Sequence, residues 1–327
     1  TEYSLLDGAC RLDDLLDRAV ELGMDSIAIT DHGVMYGAVD FYKKAKARGI
    51  KPIIGCECYL ASRGRKDKVH ALDNERYHLV LLCENATGYQ NLISMVSKAW
   101  TEGFYTKPRI DRELLEQYHE GIIALSACLA GEIPRALIAD DYERAKEKAL
   151  WYNKVFGQGN FYLELQNHGI REQKQIEPML IRLSKETGIP LVATNDTHYV
   201  RKEDSKIQQV LICIATNTTL GQGNGLEFDS DEFYLKSEEE MHELFSHVPE
   251  AIENTQIIAD RCNYDFEFGN TKLPHFEVPD GRDHFEWFRE QCYAGMYRNY
   301  GDNPPKEYFD RLNYELDVIN KMGYVDY

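Results

Sequence analysis

Short apolar runs alternate with amphipathic stretches from Arg11 to Thr194. Arg11 to Leu22 carries apolar residues at helical spacing, and Ser26 to Thr30 is a short apolar run of strand length. Tyr36 to Arg48 repeats the helical pattern, Gly49 closes it, and Lys51 to Tyr59 reads as a second strand. The alternation continues with strands at Tyr77–Cys83, Gly121–Ala127, Phe161–Gln166 and Leu191–Thr194. Helices fall between them at 89–101, 142–155 and 171–187. Repeated strand–helix units with short connections predict a parallel sheet, either closed as a barrel or open and doubly wound. Beyond Arg201 the pattern turns helical, at 202–215, 237–245 and 249–262, with a polar glycine-rich stretch from Gly221 to Gly225. Gly269 to Pro274 reads as a linker, and two further helices are predicted at 283–300 and 305–322.

The position of the polar groups separates the two sheet architectures. No GxGxxG or GxxxxGK[ST] follows any strand, which weakens a nucleotide-binding open sheet. Instead, ionisable or soft residues stand at strand ends: His32, Glu57, His78, Cys128, Asp196 and His198. A barrel collects such ends on one rim, where oxygen and imidazole donors make a cage for divalent metal. Asp196 and His198 are two apart and share a side in extended chain. Asp31 faces away from His32 and takes a supporting role behind it. His78 departs from the pattern, because it stands at the start of its strand. Glu57 interrupts an apolar run, a costly placement unless the carboxylate is paired or metal-bound. Cys128 fits core packing and soft metal ligation alike. Cys56 and Cys58 alternate away from Glu57 and read as packing against helices. His70, His119, His168, His242, His247, His275 and His284 read as loop or helix-surface residues.

The chain has 327 residues, with a net charge of -18. A nucleic acid would therefore have to be met by a local basic patch or by metal ions. Arg63, Arg65, Lys66 and Lys68 form a polar loop that either guides a phosphate backbone or is simply solvated. No apolar run reaches the ~20 residues of a membrane span, and no signal peptide is evident. Eight cysteines without a CxxC pair suit the reduced thiols of a cytoplasmic protein.

Four stretches carry a resemblance: Thr1–Gly8, Thr30–Gly33, Ser126–Pro134 and Asn195–Tyr199. Together they resemble the PHP (polymerase and histidinol phosphatase) domain found at the front of bacterial DNA polymerase III alpha subunits. Gly103–Asp111 and Glu164–Gly169 look like the polymerase-attached branch. The resemblance implies a distorted seven-stranded β/α (TIM-like) barrel over residues 1–270 with a trinuclear metal site. Residues 271–327 are then a linker and the first helices of a polymerase core. Carried over by position, the metal ligands fall on Asp7, His32, Glu57, His78, Cys128, Asp196 and His198. The family's His-x-His pair precedes the residue matching Thr1, so the first strand is expected to be missing. Up to three zinc or manganese ions are implied for an intact site, and fewer here. The retained ligands point to metal-dependent 3′-5′ exonuclease activity in the full-length enzyme, which also synthesises DNA. The expected partners are a DNA 3′ end and other replisome subunits, with no membrane. Two alternatives stand beside this reading: a non-catalytic platform within the polymerase, and a free-standing phosphomonoesterase of the histidinol-phosphate type.

Overall fold

The computed structural model describes residues 1–220, 230–270 and 273–327, so the glycine-rich Gly221–Gly225 stretch lies outside the described residues. The chain divides into two compact units, Thr1–Phe266 and Glu267–Tyr327. In the first unit the strands are β1 (Ser26–Ile29), β2 (Lys51–Ala61), β3 (Arg76–Cys83), β4 (Arg109–Ile110), β5 (Ile122–Leu125), β6 (Phe161–Leu165) and β7 (Leu191–Ala193). The helices between them are α1 (Leu12–Glu21), α2 (Ala38–Ala47), α3 (His70–Asp73), α4 (Ala86–Thr101), α5 (Arg112–Tyr118), α6 (Glu132–Ile138), α7 (Tyr142–Phe156) and α8 (Arg171–Thr187). After β7 come α9 (Ser205–Thr216), α10 (Glu238–Leu244) and α11 (Pro249–Arg261). The second unit holds α12 (His284–Tyr300) and α13 (Lys306–Lys321).

The sheet runs β1-β2-β3-β5-β6-β7, with β4 attached to β2. Among the described residues β1 pairs only with β2 and β7 only with β6, so the curved sheet is a distorted barrel left open between them. Strand alternation divides its apolar residues into two cores. Ile54, Cys56, Cys58, Leu60, Leu79, Leu81 and Leu163 face outward into the larger core with the helices. Ile53, Val80, Leu82, Ile123, Leu125, Tyr162 and Val192 face inward, where Ile258, Ala259 and Cys262 join them. Cys56 and Cys58 thus pack outward as alternation requires, and Glu57 points inward.

Helix α11 plugs the end of the sheet opposite the predicted rim. Lys51, which opens β2, bonds the Ala259 carbonyl (2.5 Å), and Asn254 bonds the Leu191 carbonyl that opens β7 (2.7 Å). Arg261 reaches Glu84, past the end of β3 (2.9 Å), and the Gly159 carbonyl ahead of β6 (2.6 Å).

Two expectations need correction. The sheet is not wholly parallel: β3 runs antiparallel to both β2 and β5, with Tyr59 opposite His78. Reversal brings the start of β3 to the rim where the parallel strands end, and this removes the anomaly of His78. The loop of Arg63, Arg65, Lys66 and Lys68 is also a tied knot rather than a free basic arm. Arg65 is buried and bonds Asp111 (3.1 Å), Glu113 (2.8 Å) and Glu102 (2.8 Å), while Arg63 forks onto Asp73 (2.8 and 2.7 Å). Arg109, on β4, is fully buried and donates to the carbonyls of Gly103, Asp73, Arg65 and Asp67 at 2.8–3.1 Å. Lys66 and Lys68 of that loop are exposed, and so is Arg63, whose charge is already matched by Asp73.

Truncating Arg109 strands four carbonyls, three of them in buried contacts that are expensive to leave unmade. Arg109→Ala should therefore cost about 3 kcal/mol or more in urea unfolding, against under ~0.5 kcal/mol for Lys66→Ala at the surface. Equal effects of the two changes would refute this account of the loop.

Candidate metal centre

Each rim residue is held by backbone. His32 follows β1 and bridges Glu57 on β2, with the Gly33 amide donating to the Glu57 carbonyl (2.8 Å). Gly33 has φ +67°, and a Cβ there would meet Pro108 at 2.9 Å and the Tyr59 ring at 3.0 Å, so only glycine fits. Ser4 Oγ accepts from the His32 amide (3.1 Å) and donates to buried Asp31 (2.8 Å), which gives Asp31 the supporting role expected of it. Asp7 sits on the turn from Ser4 to Gly8, and the next residue's amide, Ala9, donates to the His198 carbonyl (2.7 Å). Cys128 follows left-handed Ala127 (φ 63°), and the strained turn there delivers the thiol to the start of β3, whose His78 amide donates to the Ala130 carbonyl (3.1 Å).

Asp196 and His198 do not share an extended strand. β7 ends at Ala193 and Asp196 is left-handed (φ 45°), which folds the chain back so that the Asp196 carbonyl lies 2.7 Å from His198 Nδ1. The two side chains still meet, with Asp196 Oδ1 3.7 Å from His198 Nδ1.

The seven predicted residues form one string. Cys128 Sγ lies 3.5 Å from His78 Nδ1, which lies 2.9 Å from Glu57 Oε1. The same oxygen is 2.7 Å from His32 Nδ1, and His32 Nε2 is 3.2 Å from Asp7 Oδ1. Asp7 Oδ2 is 3.7 Å from His198 Nε2, and His198 leads to Asp196. Two tight triads stand out: Asp7, His32 and His198, and Glu57, His78 and Cys128, each with donor atoms within 4.8 Å of one another. Of the seven, His32, Glu57, Asp196 and His198 border a cavity of about 750 Å³, lined also by Ile27, Val192, Glu164 and Met241.

The electrostatics follow from crowding. Burial alone would depress the His32 pKa, but the charges of Glu57 and Asp7 override it and hold the imidazole well above its ordinary value. Burial would raise Glu57, yet His32 and His78 hold it well below the usual carboxylate range. Burial, reinforced by Asp196 and Glu57, pushes the Cys128 thiol well up.

Sequence reasoning missed four contributors. Glu164, on the inward face of β6, is buried; Oε1 accepts from Gln166 (3.0 Å) and from Thr194, while Oε2 has no partner. Burial raises its pKa to about 7. Inward alternation along Phe161–Leu165 was the available signal. His168, expected at a surface, is buried: its Nε2 donates to the Asn195 carbonyl (2.7 Å), its Nδ1 accepts from Gln173 (2.8 Å), and it stacks on Phe233 (3.9 Å between centroids). It holds the turn that carries Asp196 and His198. Arg76 and Lys107 both lie over the Tyr59 ring, 6.0 and 5.4 Å from its centre, and that ring packs on His78 (5.3 Å). These two cations stand closer to the rim chemistry than the tied loop does.

The donors suit divalent metal. Asp7 Oδ1 is buried and, despite its proximity to His32, lacks an aligned hydrogen bond, which leaves a lone pair for a cation. Imidazole, carboxylate and thiolate together match zinc and other borderline ions. Ligation needs His32 neutral and Cys128 as thiolate, so metal loading must displace protons. Zinc affinity should rise steeply between pH 6 and 8, with proton release visible by calorimetry in buffers of different ionisation enthalpy. Buffer-independent heats would contradict it. Glu164 makes a separate claim for the metal-free chain. Its pKa is raised from an ordinary 4.5 to about 7, so its contribution is full below about pH 4.5 and is lost as pH climbs through 7. Glu164→Gln should therefore gain up to roughly 3 kcal/mol relative to the native chain at pH 8, and nothing at pH 4, in urea unfolding with chelator present.

The chain is similar to known proteins over its whole length. Residues 1–168 match the PHP domain family, and residues 286–327 match the family described as the bacterial DNA polymerase III alpha NTPase domain. The DNA polymerase III subunit alpha of Borreliella burgdorferi is 44% identical over 100% of this chain and 29% of its own length. Those of Treponema pallidum (45%; 100% of this chain and 28% of theirs) and Thermus aquaticus (42%; 99% and 27%) are equally similar. The chain thus spans under a third of the length of these relatives. A solved amidohydrolase from Chromobacterium violaceum overlaps 60% of this chain and 85% of its own, at 15% identity and a TM-score of 0.39, a likeness that carries no argument. The PHP match takes in five of the seven donors, from Asp7 to Cys128, and covers half of the sequence: the chain belongs to the PHP domain family, and its residues 286–327 match a bacterial DNA polymerase III alpha family.

Proposed function

We propose that the rim is a metal-dependent phosphodiesterase site that removes nucleotides from a DNA 3′ end, within a DNA polymerase III alpha subunit that also synthesises DNA. The observation that carries the reading is the convergence of seven donors on one rim, six of them in two linked triads and Asp196 beside His198. A pocket with this many carboxylates repels phosphate on its own; cations held between them turn repulsion into binding. Asp7, His32 and His198 would hold one ion, and Glu57, His78 and Cys128 a second, with Asp196 beside the first. Divalent ions there would neutralise charge and lower the pKa of water, so that hydroxide is available to attack phosphorus. The chain's own residues do the rest. Arg76 and Lys107, flanking Tyr59, meet the phosphates of the strand behind the scissile bond. Glu57 fixes His32 and His78 by bonding both, and His168 keeps the Asp196 turn in place.

A second reading has its own observation. Glu57 already bonds two histidines, so the string could serve to clamp strand ends as a platform for partner subunits, without turnover. Hydrolysis of a mismatched 3′ end by the full-length protein, with zinc or manganese added, separates the two. His198→Ala and Asp196→Ala should each lower that hydrolysis by more than about 100-fold, beyond what loss of an outer partner costs. Circular dichroism should show the barrel intact. Full activity in both variants would remove these residues from the site. Cys128→Ser should weaken zinc more than manganese, since a hydroxyl replaces a soft thiolate poorly. Equal retention of both metals would make Cys128 a packing residue.

A further inference from the structure

The second unit contains a cluster of ligand-type side chains remote in sequence from the rim residues. His275 precedes α12, His284 is its first residue, and Asp326 follows α13. His275 Nδ1 lies 2.8 Å from Asp326 Oδ2, and His284 Nδ1 bonds Asp326 Oδ1. The two imidazoles stack with centroids 5.0 Å apart and planes 30° from parallel. Both rings thus direct the same nitrogen at opposite oxygens of one carboxylate, and one donor atom from each of the three residues lies within 4.8 Å of the others.

We propose that His275, His284 and Asp326 form a zinc site. Tetrahedral zinc with bonds of 2.0–2.1 Å places its ligand atoms about 3.4 Å apart. Small side-chain rotations reach that spacing from the observed contacts. Two imidazoles and a carboxylate leave the fourth position to water, and the exposure of His275 gives the ion a way in. The unit also needs such a tie. No residue of α12 is buried and only Leu316 of α13 is, so apolar packing contributes little to holding the segment before α12 against the segment after α13.

The test is zinc stoichiometry. In the chain with the rim disabled by His32→Ala and Cys128→Ala, one equivalent of zinc should survive desalting. Adding Asp326→Asn or His284→Ala should remove it, with affinity falling at least ~10-fold. A rim-disabled chain that takes up no zinc overturns the proposal, as does one that keeps its zinc after those changes. Should the rim variants not fold, ring-nitrogen NMR of the intact chain serves instead. Zinc should shift the His275 and His284 signals and magnesium should not; signals unmoved by zinc overturn the site. Neither readout depends on hydrolysis at the rim, so the two readings stand or fall separately.

Discussion

A buried carboxylate that must find positive partners is the constraint on which the first unit depends. Glu57 lies in the middle of an otherwise apolar strand, out of water, where an unpaired charge would cost several kcal/mol. Its one oxygen satisfies two imidazoles at once, His32 from the end of β1 and His78 from the start of β3. That pairing fixes how β1, β2 and β3 line up at the rim. The positions of Asp7 and Cys128 follow, since each touches one of those two histidines. The ion-binding chemistry and the strand register are therefore the same set of contacts. Replacing Glu57, His32 or His78 would disturb the fold's upper edge as well as its metal affinity.

Much of this was legible in the chain because strand alternation is a strict rule. Glu57 inward with Cys56 and Cys58 outward follows from the period of two, and the two cores obey it throughout. Where the chain leaves regular structure, the rule lapses. Asp196 sits in a left-handed turn, so its spacing from His198 carries no directional information, and the two meet by a route alternation does not describe. Strand polarity was likewise hidden: apolar runs look alike in either direction, and only the odd position of His78 hinted that β3 is reversed. The Arg63–Lys68 loop misled for a different reason. A run of cations suggests a surface patch, but Asp73, Glu102, Asp111 and Glu113, which neutralise it, lie up to 48 residues away. Long-range pairing of that kind leaves no local signature. His168 and Glu164 belong to the same class, their burial set by Phe233 and Thr194 on later segments.

Two surfaces of the sheet serve two purposes. Its outward face supplies ordinary cohesion with the helices. Its inward face is apolar where α11 meets it and ionisable at the opposite rim, so one short barrel interior passes from oil-like to charged along its axis. The cavity follows that gradient, from His32, Glu57 and His198 at the rim to Ile53, Val80 and Ile258 below.

Helix α11 also places an order on events during synthesis. It is the last helix of the first unit, yet it packs against residues near the start, with Lys51 bonding Ala259 and Ile53 sharing a core with Ile258. A ribosome delivers the β1–β2 pair and the rim histidines long before it delivers this plug. Until Cys262 has emerged, the nascent barrel has no floor and its inner apolar face stands open to water and to other chains. The floorless interval spans most of the unit's translation, and it is then that a holding chaperone has something to bind. The charged rim is assembled on a vessel whose base arrives last.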